Sequence, residues 1–228
     1  MRTNIKKLVF VTVGLLAFTK IGFCQGFINL DFESARIIPI VGGPNYPYDI
    51  ATSNAVPAWT VLIGGNPISQ ITYNDPALGS TFVTLWATNG AQISGNYSVL
   101  LQGGLTASSA SISQTGLVPV SAQSLLFYGA GNSPTTPVIE VSLGGQNLPL
   151  MVISNALNYT VYGADISAFA GQIKALTFSA LEASNGYNDW NIDNIQFSST
   201  PVPEPSGLVL AALGSLFLGF RRWRNSSR

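Results

Sequence analysis

The side chains that could do chemistry in this chain are carboxylates, amides and aromatic rings. The 228-residue sequence contains no histidine and a single cysteine, Cys24. Ser-His-Asp and Cys-His catalytic groups need a histidine base, and zinc sites are built mainly on His and Cys, so the composition excludes both. Paired carboxylates could still hydrolyse glycosides, although no two acids stand out as a pair. Carboxylates could also bind calcium, which takes several oxygen ligands.

Aromatic residues near loops are the candidate sugar contacts of the sequence. Most tryptophans of a β-sandwich belong to its core, so each aromatic residue is first interpreted as a core residue. The segment Tyr187-Asn188-Asp189-Trp190 is the exception, because it lies in a polar loop that leads into the last predicted strand. We therefore predict Tyr187, Asn188 and Trp190 as ligand-binding residues. The other candidates are Trp59, Tyr73 and Trp86.

The N-terminal end is predicted to be a secretory signal peptide covering residues 1–24. Arg2, Lys6 and Lys7 precede an apolar run at residues 8–18, which is too short to span a membrane. The cut is predicted between Cys24 and Gln25. Gly22 and Cys24 then stand at the positions before the cut where small residues are expected. Phe23 is a poor fit to a lipoprotein motif, so lipidation of Cys24 is the weaker alternative.

The C-terminal end has three parts in a fixed order. The triplet Pro203-Glu204-Pro205 is followed by residues 207–220, which carry no charge. As a helix this apolar part would be about 21 Å long, shorter than the roughly 30 Å core of a bilayer. Flanking arginines can snorkel and thin the bilayer, so a membrane span is favoured over a short buried helix. The arginines are Arg221, Arg222, Arg224 and Arg228.

This end resembles the PEP-CTERM sorting signal of exported bacterial proteins. The resemblance covers Val202-Pro203-Glu204-Pro205-Ser206, the apolar segment and Arg221-Arg222-Trp223-Arg224. It implies recognition by an exosortase, an integral-membrane enzyme, with processing near the Pro-Glu-Pro triplet. Basic flanks stay cytoplasmic, so both ends of the chain place residues 25–202 on the far side of the membrane. The expected destination is the cell surface or the extracellular space.

The body between the two ends is acidic. It contains two basic residues, Arg36 and Lys174, and nine acidic residues, which gives a net charge of −7. Nucleic-acid binding needs clustered Lys and Arg, so nucleic acid is excluded as a partner. After a cut behind Cys24 the body has no cysteine, so its stability depends on a packed core. About 175 residues suffice for one such domain.

Short alternating segments separated by Gly, Asn and Pro predict an all-β domain, a sandwich or jelly roll, over residues 25–200. Residues 198–202 are interpreted as a linker to the sorting tail at 201–228. Asp165 is placed to cap the one predicted helical turn, at residues 165–170. The predicted strands are residues 27–32, 58–63, 68–73, 81–87, 97–101, 109–114, 124–128, 138–143, 148–153, 158–163, 174–181 and 190–197.

The body also resembles the galactose-binding-like jelly rolls found in carbohydrate-binding modules. The similar segments are residues 29–33, 95–101, 111–114 and 192–197. The resemblance implies that the first and last strands lie side by side, which would bring Asp31 and Glu33 close to Asp193 and Asn194. It also implies a structural calcium ion at these four residues, with Glu33 and Asp193 matching best.

The sequence thus leaves two hypotheses of different classes. The first is a non-enzymatic surface or matrix protein, sorted by an exosortase and associated with exopolysaccharide. The alternative is a secreted carbohydrate-active enzyme of the glycoside hydrolase type that uses two carboxylates.

Overall fold

Alternating apolar and polar residues fold the body into two β-sheets that pack face to face. The computed structural model describes residues 26–75, 80–87, 92–134, 136–182 and 186–202. The predicted all-β sandwich is confirmed. The predicted signal peptide and the tail beyond Val202 lie outside the described residues. Within the described ranges no helix is long and apolar enough to cross a membrane.

The elements are short and follow one another closely. A four-residue helix, α1, spans Thr52–Ala55, and a 3₁₀ turn spans Ser167–Phe169. The strands are β1 (Asp49–Ala51), β2 (Thr60–Ile63), β3 (Asn66–Ile68), β4 (Gln70–Tyr73), β5 (Phe82–Trp86), β6 (Ser98–Gly103), β7 (Ser109–Leu117), β8 (Ser124–Asn132), β9 (Ile139–Leu143), β10 (Gln146–Asn147), β11 (Met151–Asn155), β12 (Thr160–Asp165), β13 (Ile173–Leu181) and β14 (Asn188–Ser198).

Strand order is strongly non-sequential. One sheet has the order β1-β4-β5-β6-β14-β8-β12-β11, and the other has the order β10-β9-β13-β7-β2-β3. β4 and β5 pair in parallel, and the other neighbours pair antiparallel. The last strand, β14, lies between β6 and β8, so the end of the body is built into the middle of the larger sheet.

The core lies between the sheets and follows the two-residue period of the strands. In β13, Leu176 and Phe178 are fully buried, whereas Thr177 between them faces outward. Phe178 meets Phe127 of β8 edge-to-face, with ring centroids 5.1 Å apart. Burying an aromatic side chain contributes about 2–3 kcal/mol, so such contacts between the sheets hold the sandwich together.

The predicted first strand, at residues 27–32, is wrong. Asn29 and Phe32 have φ angles of +51° and +58°, which interrupt an extended strand. The side chain of Gln114 replaces a strand partner, because it accepts a hydrogen bond from Ile28 N (2.7 Å) and donates one to Ile28 O (2.9 Å). Leu30 O accepts a hydrogen bond from Ile195 N, so this segment does lie beside β14, as expected.

The interpretation of residues 198–202 as a linker is also wrong, because these residues are docked on the body. Val202 is 9% exposed. The Ser124 hydroxyl donates to Thr200 O at 2.7 Å, and Gln123 N donates to Ser198 O at 2.8 Å. The body therefore continues to the residue that precedes the Pro-Glu-Pro triplet.

The predicted helical turn at residues 165–170 is confirmed as the 3₁₀ turn. The Asp165 carboxylate accepts a hydrogen bond from Ser167 N at 2.8 Å, and the hydrogen bonds from Ser167 lower the pKa of Asp165.

Candidate functional site

Glu33 binds the loop that precedes β6. Its Oε1 accepts hydrogen bonds from Asn96 N (2.7 Å) and Tyr97 N (3.1 Å), and its Oε2 accepts one from the Asn96 side-chain amide (2.8 Å). Gly95, at φ +56°, makes room for the carboxylate, because a Cβ at this position would collide with Glu33 Oε1. Glu33 therefore fixes this loop against the N-terminal segment.

Asp193 is buried in the same neighbourhood, with 1% of its surface exposed. Its Oδ2 accepts a hydrogen bond from Ser94 N (3.0 Å), and its Oδ1 accepts one from Asn194 N (2.6 Å). Burial raises the pKa of Asp193 to about 7. The two N–H donors lower this pKa, and the nearby carboxylates of Glu33 and Asp31 raise it. The structure thus brings three of the four predicted calcium ligands into one acidic cluster.

The side chain of the fourth predicted ligand, Asn194, hydrogen-bonds within its own strand. Asn194 has a φ of +47° and lies in a bulge of β14, and its Oδ1 accepts a hydrogen bond from Gln196 Nε2 at 2.9 Å. Among the described residues, no group of three or more His, Cys, Asp or Glu side chains is arranged to hold a metal ion. A carboxylate has about four lone-pair positions, so Glu33 and Asp193 could still ligate a cation beside their N–H donors. Calcium binding here stays a prediction.

An aromatic cleft is lined by residues of three neighbouring strands, β14, β8 and β12, and of the loop that precedes β12. Its volume is about 290 Å³, at the lower end of the roughly 300–1,000 Å³ typical of small-molecule sites. None of its described lining residues is charged. They are Gly129, Ala130, Gly131, Pro137, Ala156, Leu157, Asn158, Tyr159, Thr160, Tyr162 and Trp190.

Three aromatic side chains shape this cleft. Trp190 and Tyr162 meet edge-to-face with ring centroids 5.7 Å apart, and Tyr159 stacks on Tyr128 at 4.2 Å. Trp190 is 4% exposed, and its indole N–H has no hydrogen-bond partner among the described residues. Tyr159 and the exposed Asn158 and Leu157 form the rim.

Two glycines of β8 lie directly against these rings. A Cβ at Gly129 would lie 3.1 Å from Tyr162 Cδ2, and one at Gly131 would lie 3.0 Å from Trp190 Cζ2. These distances are tighter than ordinary van der Waals contact, so larger residues would push into the rings. Gly129 and Gly131 therefore allow Tyr162 and Trp190 to pack closely on β8.

The structure separates the three predicted ligand-binding residues. Trp190 lines the cleft, and Tyr187 is half-buried in the preceding loop. Asn188 is buried and serves the backbone: it donates to Val138 O (2.7 Å) and Leu181 O (3.0 Å) and accepts from Val138 N (3.0 Å). The side chain of Asn188 thus connects β14 to the end of β13 and to the residue that precedes β9. Of the other aromatic candidates, Trp59 belongs to the core.

Sequence reasoning missed Tyr159, Tyr162 and the two glycines. Tyr159 and Tyr162 are three residues apart in the strand predicted at residues 158–163, so the period of a strand gives no signal that they share a site. The contact of Tyr162 with Trp190 depends on β8 lying between β12 and β14, which no local pattern indicates.

A larger concavity, of about 590 Å³, lies on the outer face of the smaller sheet. Its described lining residues carry mostly hydroxyl side chains, and none of them is aromatic. Several of these hydroxyls pair with each other, as in Ser111 with Ser179 (2.9 Å) and Ser113 with Thr177 (2.8 Å). The described part of this concavity therefore differs from the aromatic cleft in its chemistry.

Comparison with known proteins locates one similarity in the tail and one in the body. A search of curated proteins gave no match. Among solved structures, the chain is similar to the carbohydrate-binding module TmCBM61, solved in complex with β-1,4-galactotriose. The TM-score is 0.42 at 16% identity, covering 76% of this chain and 97% of that chain. Residues 201–224 match the model of the PEP-CTERM protein-sorting motif. The chain therefore carries a PEP-CTERM sorting motif, which marks it as an exported protein anchored through its C-terminal end.

Proposed function

We propose that the protein is a non-enzymatic surface protein that is sorted by an exosortase and binds a neutral polysaccharide in the aromatic cleft. The sorting motif at residues 201–224 is the observation that supports sorting by an exosortase. An exported protein held at the surface meets polysaccharide outside the cell, so association with exopolysaccharide follows as the role of the body.

The chemistry of the cleft supports a sugar as the ligand. Faces of Tyr and Trp pack against the apolar C–H faces of sugar rings, and nearby amide and hydroxyl groups hydrogen-bond to sugar hydroxyls. Tyr159 supplies a ring at the rim, and Asn158 and Thr160 supply polar groups beside it. The small volume suits one sugar unit or the end of a chain.

The charge of the site favours a neutral glycan. No Lys, Arg, Asp or Glu is among the described residues that line the cleft, and the body around it has a net charge of −7. An anionic polysaccharide would be repelled by this field and would find no cation in the cleft. The same lining offers no carboxylate pair, which favours binding over hydrolysis.

A glycan array with the full chain in detergent tests the proposal, together with a screen for released reducing ends. We expect binding to neutral glycans, with no sugar released. Tyr159→Ala should weaken binding at least tenfold, because it removes the rim ring. Tyr46→Ala is the matched control, because Tyr46 is 57% exposed and lies outside the cleft.

Two results would contradict the proposal. Release of reducing ends would favour the alternative of a carbohydrate-active enzyme. Equal loss of binding in the Tyr159 and Tyr46 variants would show that the cleft is not the binding site.

A further inference from the structure

The segment just before the sorting motif is held on the body by specific contacts. Ser198 O accepts a hydrogen bond from Gln123 N, and Thr200 O accepts one from the Ser124 hydroxyl. Thr200 N in turn donates to the Ser198 hydroxyl at 3.0 Å. We call Ser198-Ser199-Thr200-Pro201-Val202 the docked segment.

Val202 ends the docked segment in a seat formed by Gly163 of β12. A Cβ at Gly163 would lie 2.8 Å from Val202 Cγ1 and 2.9 Å from Ile153 Cγ1. Such distances are too short for a real Cβ, so Val202 occupies the space that a larger residue at position 163 would fill. The 9% exposure of Val202 follows from this fit.

The seat matters because Pro203, the first residue of the Pro-Glu-Pro triplet, comes directly after it. An enzyme that cuts near the triplet must hold several residues on each side of the cut in an extended form. The residues on the N-terminal side are those of the docked segment. Cutting of native proteins requires local opening, and its rate follows the open population when opening is fast.

We propose that docking of residues 198–202 on the body limits access of the exosortase to the sorting motif. The docked segment must leave Gly163 and Ser124 before the motif is processed. This inference rests on the proposed exosortase processing. It adds that the folded body, and not only the tail, sets the rate of that step.

The test is pulse-chase processing of the full chain in a host that contains the exosortase. Gly163→Ala fills the seat and Ser124→Ala removes a hydrogen bond, and both leave the sorting motif unchanged. We expect processing to be faster by about tenfold for Gly163→Ala and about fivefold for Ser124→Ala, from loss of one buried apolar contact and one hydrogen bond. Val152→Ser is the control, because Val152 is 58% exposed on the neighbouring strand β11.

Two further measurements make the outcome decisive. Limited proteolysis of the purified full chain should show faster cutting within residues 198–202 in both seat variants and not in the Val152 variant. Melting temperatures report whether the body itself has loosened, and rates are compared between variants of equal stability.

Suppose that limited proteolysis shows an open docked segment in the Gly163 and Ser124 variants while exosortase processing is unchanged or slower. The inference would then be overturned, since docking would not limit access. A wild-type chain that is never processed would instead refute the proposed sorting, and the inference with it.

Discussion

Burial of Asp193 predicts an unusual dependence of stability on pH. The pKa of this group is about 7 in the folded protein and about 3.9 in an unfolded chain. Between these values the folded state binds more protons than the unfolded state, so the free energy of unfolding falls as pH rises from about 4 to 7. Most buried acids that pair with cations have the opposite sign.

The magnitude follows from the shift. Three pKa units correspond to at most about 4 kcal/mol, and solvent screening near the Ser94–Tyr97 loop reduces the expected loss to about 2 kcal/mol between pH 5 and pH 8. Asp189, whose pKa burial raises to about 6, contributes in the same direction. Asp193→Asn should therefore remove only part of the slope.

Urea denaturation of residues 25–202, followed by tryptophan fluorescence at pH 5 and pH 8, measures this effect. We expect wild type to lose about 2 kcal/mol more than Asp193→Asn over this range. Glu182→Gln is the control, because Glu182 is an exposed acid. If wild type and Asp193→Asn have parallel pH profiles, the buried carboxylate is already ionised at pH 5 and the reasoning fails.

Calcium provides a second arm of the same assay. A cation at Glu33, Asp193 and Asp31 would bind the ionised carboxylates and would stabilise the folded state by mass action. At ten times a dissociation constant of roughly 1 mM, the gain is about 1.4 kcal/mol. This gain should be larger at pH 8 than at pH 5 and should be absent in Asp193→Asn. Identical wild-type curves with calcium and with chelator would exclude the predicted metal site.

Two further predictions concern the ends of the body. Gln114→Ala leaves Ile28 N–H and C=O without their partner and should lower the free energy of unfolding by about 2 kcal/mol, with faster hydrogen exchange at Ile28. The exposed Thr115→Ala on the same strand is its control, and equal effects would make the Gln114 amide unimportant. Deleting residues 207–228 should release a folded body into the soluble fraction with an unchanged melting temperature. An insoluble product would mean that the apolar segment belongs to the core.

Local sequence pattern predicted those parts of the fold that depend on neighbours in sequence. Strand β13 was predicted at residues 174–181 because Leu176, Phe178 and Ala180 alternate with polar residues, and the structure has it at Ile173–Leu181. The first segment has a similar alternation and still is not a strand. Its partner is the side chain of Gln114, a contact across more than 80 residues that no local pattern contains.

The candidate site was less predictable for the same reason. The acids of the cluster were found because the resemblance placed the two ends of the body together, and Ile195 N does bond to Leu30 O. Of the residues that line the cleft, only Trp190 was predicted from the sequence as a ligand-binding residue. Tyr162 lies in β12, which reaches Trp190 across β8, and Tyr159 lies just before that strand. The two glycines that pack against Tyr162 and Trp190 have a spacing that does not indicate what faces them.

Strand β12 contributes Tyr162 to the aromatic cleft and Gly163 to the seat of Val202. Tyr162 faces inward, where it stacks on Phe127 and meets Trp190. Gly163, the next residue, faces outward and receives Val202. Because successive residues of a strand point to opposite faces, Tyr162 and the seat of Val202 are separated by the thickness of the sheet. Release of the docked segment from Gly163 therefore need not disturb the contact between Tyr162 and Trp190. Under the proposed function, binding at these two rings is expected to be the same before and after sorting.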